Sequence, residues 1–153
     1  MIDIKGGSKD SRAARLSNFT DRPFVFDGVQ CAGIEGILQS LKEFHFETQV
    51  EICAMSGKPA KRAGSERDAW KQGQMLWWRG VTYARNSREY QELITRIYDA
   101  VYEQDPTFKE DLLAVGNEDI CHSIGNPDQR DTVLTEVEMI HQLNRLRIRA
   151  QRN

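Results

Sequence analysis

One stretch of the sequence constrains the fold more than any other, because its apolar side chains all fall on a single helical face. The apolar residues recur at i, i+3, i+4, i+7, i+8 and i+11, and they are Tyr90, Leu93, Ile94, Ile97, Tyr98 and Val101. Ser87 is a favourable N-cap residue, and Asp105-Pro106 is typical of a helix end. The pattern predicts a long amphipathic helix that packs along its whole length against a core.

Two capping boxes indicate further helices. The pair Thr107 and Glu110 predicts a short helix with Thr107 as its N-cap. The pair Thr135 and Glu138 predicts the start of a final helix. Segment 117–132 lies between them and is rich in turn residues. Loops of this length in a small domain are usually functional or disordered, and the helices that flank it favour a functional loop.

The sequence predicts little β-structure. Alternating apolar residues before the tight-turn pair Asp27-Gly28 indicate a short hairpin at 22–30. One further strand is expected near 79–83 or 119–123. Residues 1–15 are polar, which predicts a flexible lead-in. The remainder, 16–153, is expected to form a single domain that is mainly α, or α+β with a small β-hairpin.

Composition excludes several classes of protein. The chain has 153 residues and a formal charge of −2, so its charge gives no support to a nucleic-acid coat or a membrane-surface protein. No apolar run approaches the ~20 residues that span a bilayer. The three cysteines form no Cys-x-x-Cys pair, which predicts reduced thiols in a cytoplasmic protein. The three histidines are scattered along the chain, so no metal is expected, and no cofactor is expected either. Phosphate-loop, dinucleotide-fold and nucleophile-elbow motifs are absent.

The most informative candidate site lies in segment 33–47, which the periodicity predicts to be a helix, followed by a second short helix over 48–56. Glu35, Gln39 and Lys42 form a polar stripe that borders the apolar face. The opposite side, expected to face solvent, carries Gly36, Ser40, Glu43 and Glu47. The stripe can be the wall of a cleft, or it can be an exposed network worth a few tenths of a kcal/mol.

Other candidates are spread along the chain. Trp77 and Trp78 are adjacent and cannot point the same way, so one is expected in the core and the other is free to line a pocket. Lys61 and Arg62 suit a phosphate or diphosphate, or they belong to a solvated turn. His122 can reach a ribose or a phosphate, or it can be hydrogen-bonded to the backbone.

Together these pieces resemble the NADAR (YbiA-like) family, whose members are N-glycosidases acting on ADP-ribose-type and ribosylamine substrates. The matching segments are Ser17-Asn18-Phe19, Asp27-Gly28, the stripe Glu35, Gln39 and Lys42, the element Ala60-Lys61-Arg62-Ala63-Gly64 before Trp70, and His122-Ser123-Ile124-Gly125. The resemblance spans roughly residues 16–149. It implies a helical fold of the NADAR type.

The resemblance also implies a function. The expected activity is hydrolysis of a ribosyl N-glycosidic bond, either between ADP-ribose and a guanine base or nucleotide, or in a phosphoribosylamine-type metabolite. Glu35 is expected to be the catalytic carboxylate, and Lys42 is either an electrostatic partner or an amine nucleophile. The expected substrate-binding residues are Asn18, Phe19, Gln39, Lys61, Arg62, Trp77, Trp78 and His122.

Two alternatives remain open at this point. The site can bind ADP-ribose or NAD without turnover, or the chain can be a helical protein-interaction module. The expected partner is a nucleotide or ADP-ribose-type ligand, free or attached to nucleic acid.

Overall fold

The computed structural model describes residues 1–153 and contains eight helices and three two-stranded sheets. In chain order the elements are β1 (Ile2–Asp3), α1 (Ser11–Arg15), β2 (Phe24–Phe26), β3 (Val29–Cys31), α2 (Ile34–Ser40), α3 (Phe46–Cys53), α4 (Gly57–Ser65), α5 (Trp70–Gly73), β4 (Met75–Trp78), β5 (Val81–Ala84), α6 (Arg88–Gln104), α7 (Pro106–Ala114), β6 (Ile120–Cys121) and α8 (Glu136–Arg152). About half of the chain is helical, and the α+β composition is as predicted.

Helix α6 is the predicted amphipathic helix. All six side chains of its apolar stripe are buried in the core. The Ser87 hydroxyl accepts a hydrogen bond from the Tyr90 N–H at 3.1 Å, which confirms the predicted cap. Helices α2, α7 and α8 and strands β2 and β5 all pack against α6, so the periodicity correctly identified the centre of the core.

Two antiparallel hairpins and one parallel pair make up the β-structure. Strands β2 and β3 form the predicted hairpin, and its turn residues Asp27 and Gly28 both have positive φ, as a tight two-residue turn requires. Strands β4 and β5 form a second hairpin, of which only β5 was expected. Strand β6 lies in the predicted 119–123 range.

The first fifteen residues correct the expectation of a flexible lead-in. Strand β1 pairs in parallel with β6, with Ile2 opposite Ile120. Ile2 and Ile4 are buried in the core, and Ala13 of α1 is buried as well. The prediction was based on the polar composition of this segment and overlooked its two isoleucines. Their burial holds the N-terminus against β6, about 120 residues away along the chain.

Helix α2 is shorter and more deeply buried than the sequence suggested. It ends at Ser40, well before residue 47, and all seven of its residues are buried. Gly36 and Ser40, expected on the solvent side, are covered by neighbouring segments. A Cβ on Gly36 would overlap the Met55 carbonyl oxygen, and the Ser40 hydroxyl is satisfied by donating to the Ile37 carbonyl at 2.6 Å. Small residues on the presumed outer face therefore allow α3 and its following turn to pack over it.

This close approach makes a prediction about stability. Gly36→Ala is expected to lower the free energy of unfolding by about 1–3 kcal/mol, because backbone must move to accept the new methyl group. Urea denaturation followed by circular dichroism measures the change. Gly73→Ala is the matched control, since a Cβ there meets only the Met75 side chain at 4.0 Å. Equal stability of the two variants would contradict the packing.

The two predicted helix starts have different outcomes. At α8, Thr135 and Glu138 form the predicted capping box. At α7, the predicted cap is wrong: the helix begins at Pro106, and the Asp105 carboxylate accepts from the Thr107 N–H at 3.0 Å. Asp followed by Pro is an effective N-cap and first-turn pair, and here it takes precedence over the threonine.

Candidate active site

A cavity of about 870 Å³ lies beside α2. Its wall is built from segments that are far apart in sequence: the residues after β1, the loop after α1, helix α2, helix α4, and the loop between β6 and α8. Each of these segments contributes polar side chains to the lining, and its apolar lining includes Leu38 and Met139.

The polar stripe of α2 faces this cavity. Glu35, Gln39 and Lys42 all line it, so the structure brings together the three side chains whose spacing suggested a shared cleft. Although α2 ends at Ser40, the Lys42 N–H still donates to the Gln39 carbonyl at 3.2 Å, which keeps Lys42 in helical register with the other two. The Gln39 Nε2 donates to the Glu35 Oε1 at 2.8 Å.

Burial shifts the pKa values of Glu35 and Lys42. Burial raises the pKa of Glu35 above its usual range, against the opposing effects of the Gln39 hydrogen bond and of the positive charges of Lys61 and Lys42. Burial also lowers the pKa of Lys42, and the nearby Glu35 opposes that change. The carboxyl and the amine are thus both shifted toward their neutral forms, which is a common feature of acid–base sites.

Asn18 is held by two contacts that orient it toward the cavity. Its backbone carbonyl accepts from the Glu35 N–H at 3.2 Å, so the loop after α1 contacts the start of α2. Its side-chain Oδ1 accepts from the Tyr98 hydroxyl at 2.9 Å. The Asn18 Nδ2 therefore remains as a donor for a ligand.

Tyr98 has a positioning role that the sequence analysis did not identify. The periodicity places it in the apolar stripe of α6, and it is fully buried. Burial raises the pKa of its hydroxyl, so this group stays a proton donor. A buried tyrosine hydroxyl needs a hydrogen-bond partner, whereas phenylalanine would not, and that requirement was the available signal.

Helix α4 supplies a cationic wall. Lys58, Lys61 and Ser65 lie on one helical face and line the cavity. The Lys61 Nζ is 5.9 Å from the centroid of the Phe19 ring, which also lines it. Arg62, expected beside Lys61 in the site, lies outside the cavity, because successive helical residues point about 100° apart.

His122 also lines the cavity. It follows β6, and its Nδ1 is 2.6 Å from the Ile4 carbonyl oxygen. A carbonyl oxygen only accepts, so Nδ1 carries the proton and Nε2 is left for other contacts. The ring is therefore hydrogen-bonded to the backbone, which was one of the two possibilities left open by the sequence, and it also forms part of the cavity wall.

The structure does not bring the tryptophans to this cavity. Trp78 is 2% exposed, and its Nε1 donates to the Asp27 carboxylate at 2.8 Å. Trp77 is half-buried and packs edge-to-face with Phe44 at a centroid distance of 5.9 Å. The alternation along β4 sends one ring into the core, as expected, but the other contacts a surface phenylalanine and lines no part of this site.

Several lining residues had no signal in the sequence. Lys5 and Asp131 reach the cavity only because the β1–β6 pairing and the loop before α8 carry them there. Gly64 is also important: a Cβ there would overlap the Gln39 side chain, so only glycine lets Gln39 occupy its position. No three His, Cys, Asp or Glu side chains are grouped to hold a metal ion.

The contact between Gly64 and Gln39 gives a prediction. Gly64→Ala is expected to displace the Gln39 amide from Glu35 and to destabilise the fold by about 1–3 kcal/mol. In a Gln39→Ala background the same substitution is expected to cost less, because most of the overlapping atoms are gone. Chemical denaturation of the four proteins measures the coupling. Additive effects would show that the two residues do not interact.

The fold and the site therefore define an α+β protein with a cavity that is lined by lysines and contains one buried carboxyl group. Residues 11–148 match the family described as Bacteriophage protein GP30.3, and the chain belongs to this family. It is 39% identical over 133 residues to a 17.1 kDa protein in the Gp30–rIII intergenic region of Enterobacteria phage T4, covering 86% of this chain and 88% of that protein. No solved structure matches the chain.

This membership corrects the family suggested by the short motifs. The chain is not identified as a NADAR protein, and its matched region covers nearly the whole length that the resemblance claimed. The reason lies in the motifs themselves. A Glu, a Gln four residues on and a Lys three residues beyond that have the spacing of any polar stripe on a helix. The spacing therefore indicates that these side chains share one helical face, and it does not identify a protein family.

None of the eight helices is both long and apolar enough to cross a bilayer.

Proposed function

We propose that the cavity is a hydrolytic site for the N-glycosidic bond of a phosphorylated ribosyl compound. The observation that carries the proposal is the position of Glu35, a carboxyl group that is 8% exposed and lines a cavity shared with four lysines. A site with one buried acid and several ammonium groups suits an anionic substrate whose reaction develops positive charge. The type of bond is the one that the resemblance of the short motifs implies, and the geometry of the cavity supports an acid–base site for an anionic substrate.

Cleavage of a ribosyl N-glycosidic bond develops positive charge on the sugar, as in other glycoside hydrolyses. The ionised Glu35 carboxylate stabilises that charge and accepts a proton from the attacking water. Only its Oε1 is bonded to Gln39, so Oε2 is left for the water or the sugar. The raised pKa makes this carboxylate a stronger base than an exposed glutamate.

Neighbouring amides suit the ribose hydroxyl groups. The Asn18 Nδ2 is available because Tyr98 occupies the Oδ1, and Gln39 lines the cavity next to Glu35. The Phe19 ring offers an apolar face for the leaving base. His122 Nε2 is a further polar contact for a hydroxyl or phosphate oxygen.

Lys42 has two candidate roles, and a conservative substitution separates them. A positive charge that neutralises substrate phosphate is retained by Lys42→Arg, whereas an amine nucleophile is not. We expect Lys42→Arg to keep turnover within about tenfold of wild type and Lys42→Ala to lose about 100-fold or more. Steady-state kinetics measures both. Complete loss in the arginine variant with ligand binding intact would assign the nucleophilic role.

The test of the proposal is an incubation panel with product analysis. The wild-type protein is incubated with ADP-ribosylated guanosine and with a phosphoribosylamine, and released base or amine is quantified by chromatography. Release from one of the two is expected. If neither is cleaved, thermal denaturation with ADP-ribose identifies binding without turnover, since ligand at 100 times its Kd adds ~2.7 kcal/mol of stability. Absence of turnover contradicts the hydrolytic proposal in either case.

A further inference from the structure

The cavity wall carries a group of positive charges. Four lysines line it, and none of them has a carboxylate within 4.0 Å. They are Lys5, Lys42, Lys58 and Lys61. Elsewhere, eight arginines are paired with Asp or Glu within that distance. The cavity wall contains only two carboxyl groups, Glu35 and Asp131, so lysines outnumber acids there by two.

The arrangement of these lysines indicates where the negative charge of a ligand lies. Lys58 and Lys61 are one turn apart on α4 and face the cavity together with Ser65. The Lys61 ammonium stays near the Phe19 ring, at the part of the wall formed by the loop after α1. Two neighbouring ammonium groups and a hydroxyl match two adjacent phosphates better than one.

The volume of the cavity indicates how large the ligand is, and the net charge of the chain bears on whether the ligand is attached to nucleic acid. A volume of about 870 Å³ falls in the ~300–1,000 Å³ range of pockets that enclose a whole small molecule. Binding to nucleic acid needs a basic surface that follows the phosphate backbone. This chain has a net charge of −2, and eight of its fourteen arginines are paired with Asp or Glu.

We infer that the cavity binds a free nucleoside-diphosphate conjugate of ADP-ribose size, with the diphosphate on the Lys58–Lys61–Ser65 face of α4. The inference rests on the proposed function for the position of the ribose, which lies between this face and Glu35. Nucleic acid is excluded as the carrier of the substrate. The ligand enters the cavity whole and is recognised by both phosphates.

Calorimetric titration of the full chain tests this without requiring turnover. The probes are ADP-ribose, AMP and a single-stranded 12-nucleotide DNA. ADP-ribose is expected to bind at least about tenfold more tightly than AMP or the oligonucleotide, because charge-assisted contacts to a second phosphate add to affinity. The double variant Lys58→Gln/Lys61→Gln is expected to lose about 10- to 100-fold in ADP-ribose affinity and to reduce the difference from AMP.

The matched control is Lys9→Gln/Lys109→Gln, which removes the same charge at residues outside the cavity and is expected to bind within about twofold of wild type. Thermal unfolding of both double variants checks that they fold. The inference is overturned if AMP or the oligonucleotide binds as tightly as ADP-ribose, or if the two double variants bind alike. Tight ADP-ribose binding without hydrolysis of any conjugate would overturn the proposed function alone. Cleavage of the phosphoribosylamine by a protein that does not bind ADP-ribose would overturn this inference alone.

Discussion

Glu35→Gln is expected to reduce turnover by about 100- to 10,000-fold, the usual contribution of a positioned acid–base group, while ADP-ribose binding is retained. Glutamine keeps the shape of the side chain and a hydrogen bond to Gln39 but cannot ionise. Glu47→Gln is the matched control, because Glu47 is exposed on α3 and does not line the cavity. Single-turnover kinetics and calorimetry separate the loss of chemistry from any loss of binding. Turnover within tenfold of wild type would contradict the assigned role.

Glu35→Gln is expected to lower turnover but to raise stability at neutral pH. Because burial raises the folded pKa of Glu35 above its ordinary value of 4.5, the group favours the folded state below that pH. That stabilisation is lost as pH rises through the folded pKa. Glu35→Gln is therefore expected to raise Tm at pH 7–8 and to lose this advantage near pH 4. A lower Tm for the variant at neutral pH would show that the charged carboxylate is well compensated.

Glu138→Ala is expected to cost about 3–5 kcal/mol of stability, since it leaves the buried Arg85 guanidinium without its counter-charge. Arg85 is 0% exposed, and its two terminal nitrogens donate to the Glu138 carboxylate at 3.0 and 2.6 Å. The substitution also removes the capping box of α8. Glu110→Ala, on the exposed surface of α7, is the control. Urea denaturation gives both values, and a difference below 1 kcal/mol would contradict the prediction.

The ion pair also predicts how stability depends on pH. Burial acts to raise the pKa of Glu138, but hydrogen bonds from Arg85, the Thr135 N–H and Gln91 outweigh it and hold the pKa below its ordinary value of 4.5. The pair therefore stabilises the fold above that pH, and its contribution is lost as pH falls through the folded pKa. Wild type is expected to lose more stability than Glu138→Ala between pH 5 and pH 3.

This network reaches the cavity through the backbone. The Arg85 Nε donates to the Thr132 carbonyl at 2.8 Å, and Thr132 lines the cavity wall. Loss of Glu138 is therefore expected to weaken ADP-ribose binding as well as stability. The sequence contained no signal for this pair, because its two residues are 53 positions apart and the capping box that contains Glu138 gives no indication of Arg85.

Local patterns predicted what local physics controls. The α6 stripe, the Ser87 cap, the Asp27-Gly28 turn and the α8 capping box depend on residues within one or two turns of each other. The predicted N-cap of α7 was wrong because two local signals, Asp105 and Thr107, lie two residues apart and either could begin the helix. The prediction that Gly36 and Ser40 of α2 face solvent was wrong, because helical periodicity assumes that only one side of a helix faces the core. These two small residues allow α3 and its following turn to cover the second side.

The sequence by itself determined the central helix and the polar stripe Glu35, Gln39 and Lys42, because helical spacing alone puts those side chains on one face. Only the tertiary structure decided that this face lines a cavity. Burial of Ile2 and Ile4 carries Lys5 and His122 to the cavity, the Tyr98 hydroxyl fixes Asn18, and the missing Cβ of Gly64 makes room for Gln39. These contacts join residues far apart in the chain, and no local pattern encodes which distant segments meet.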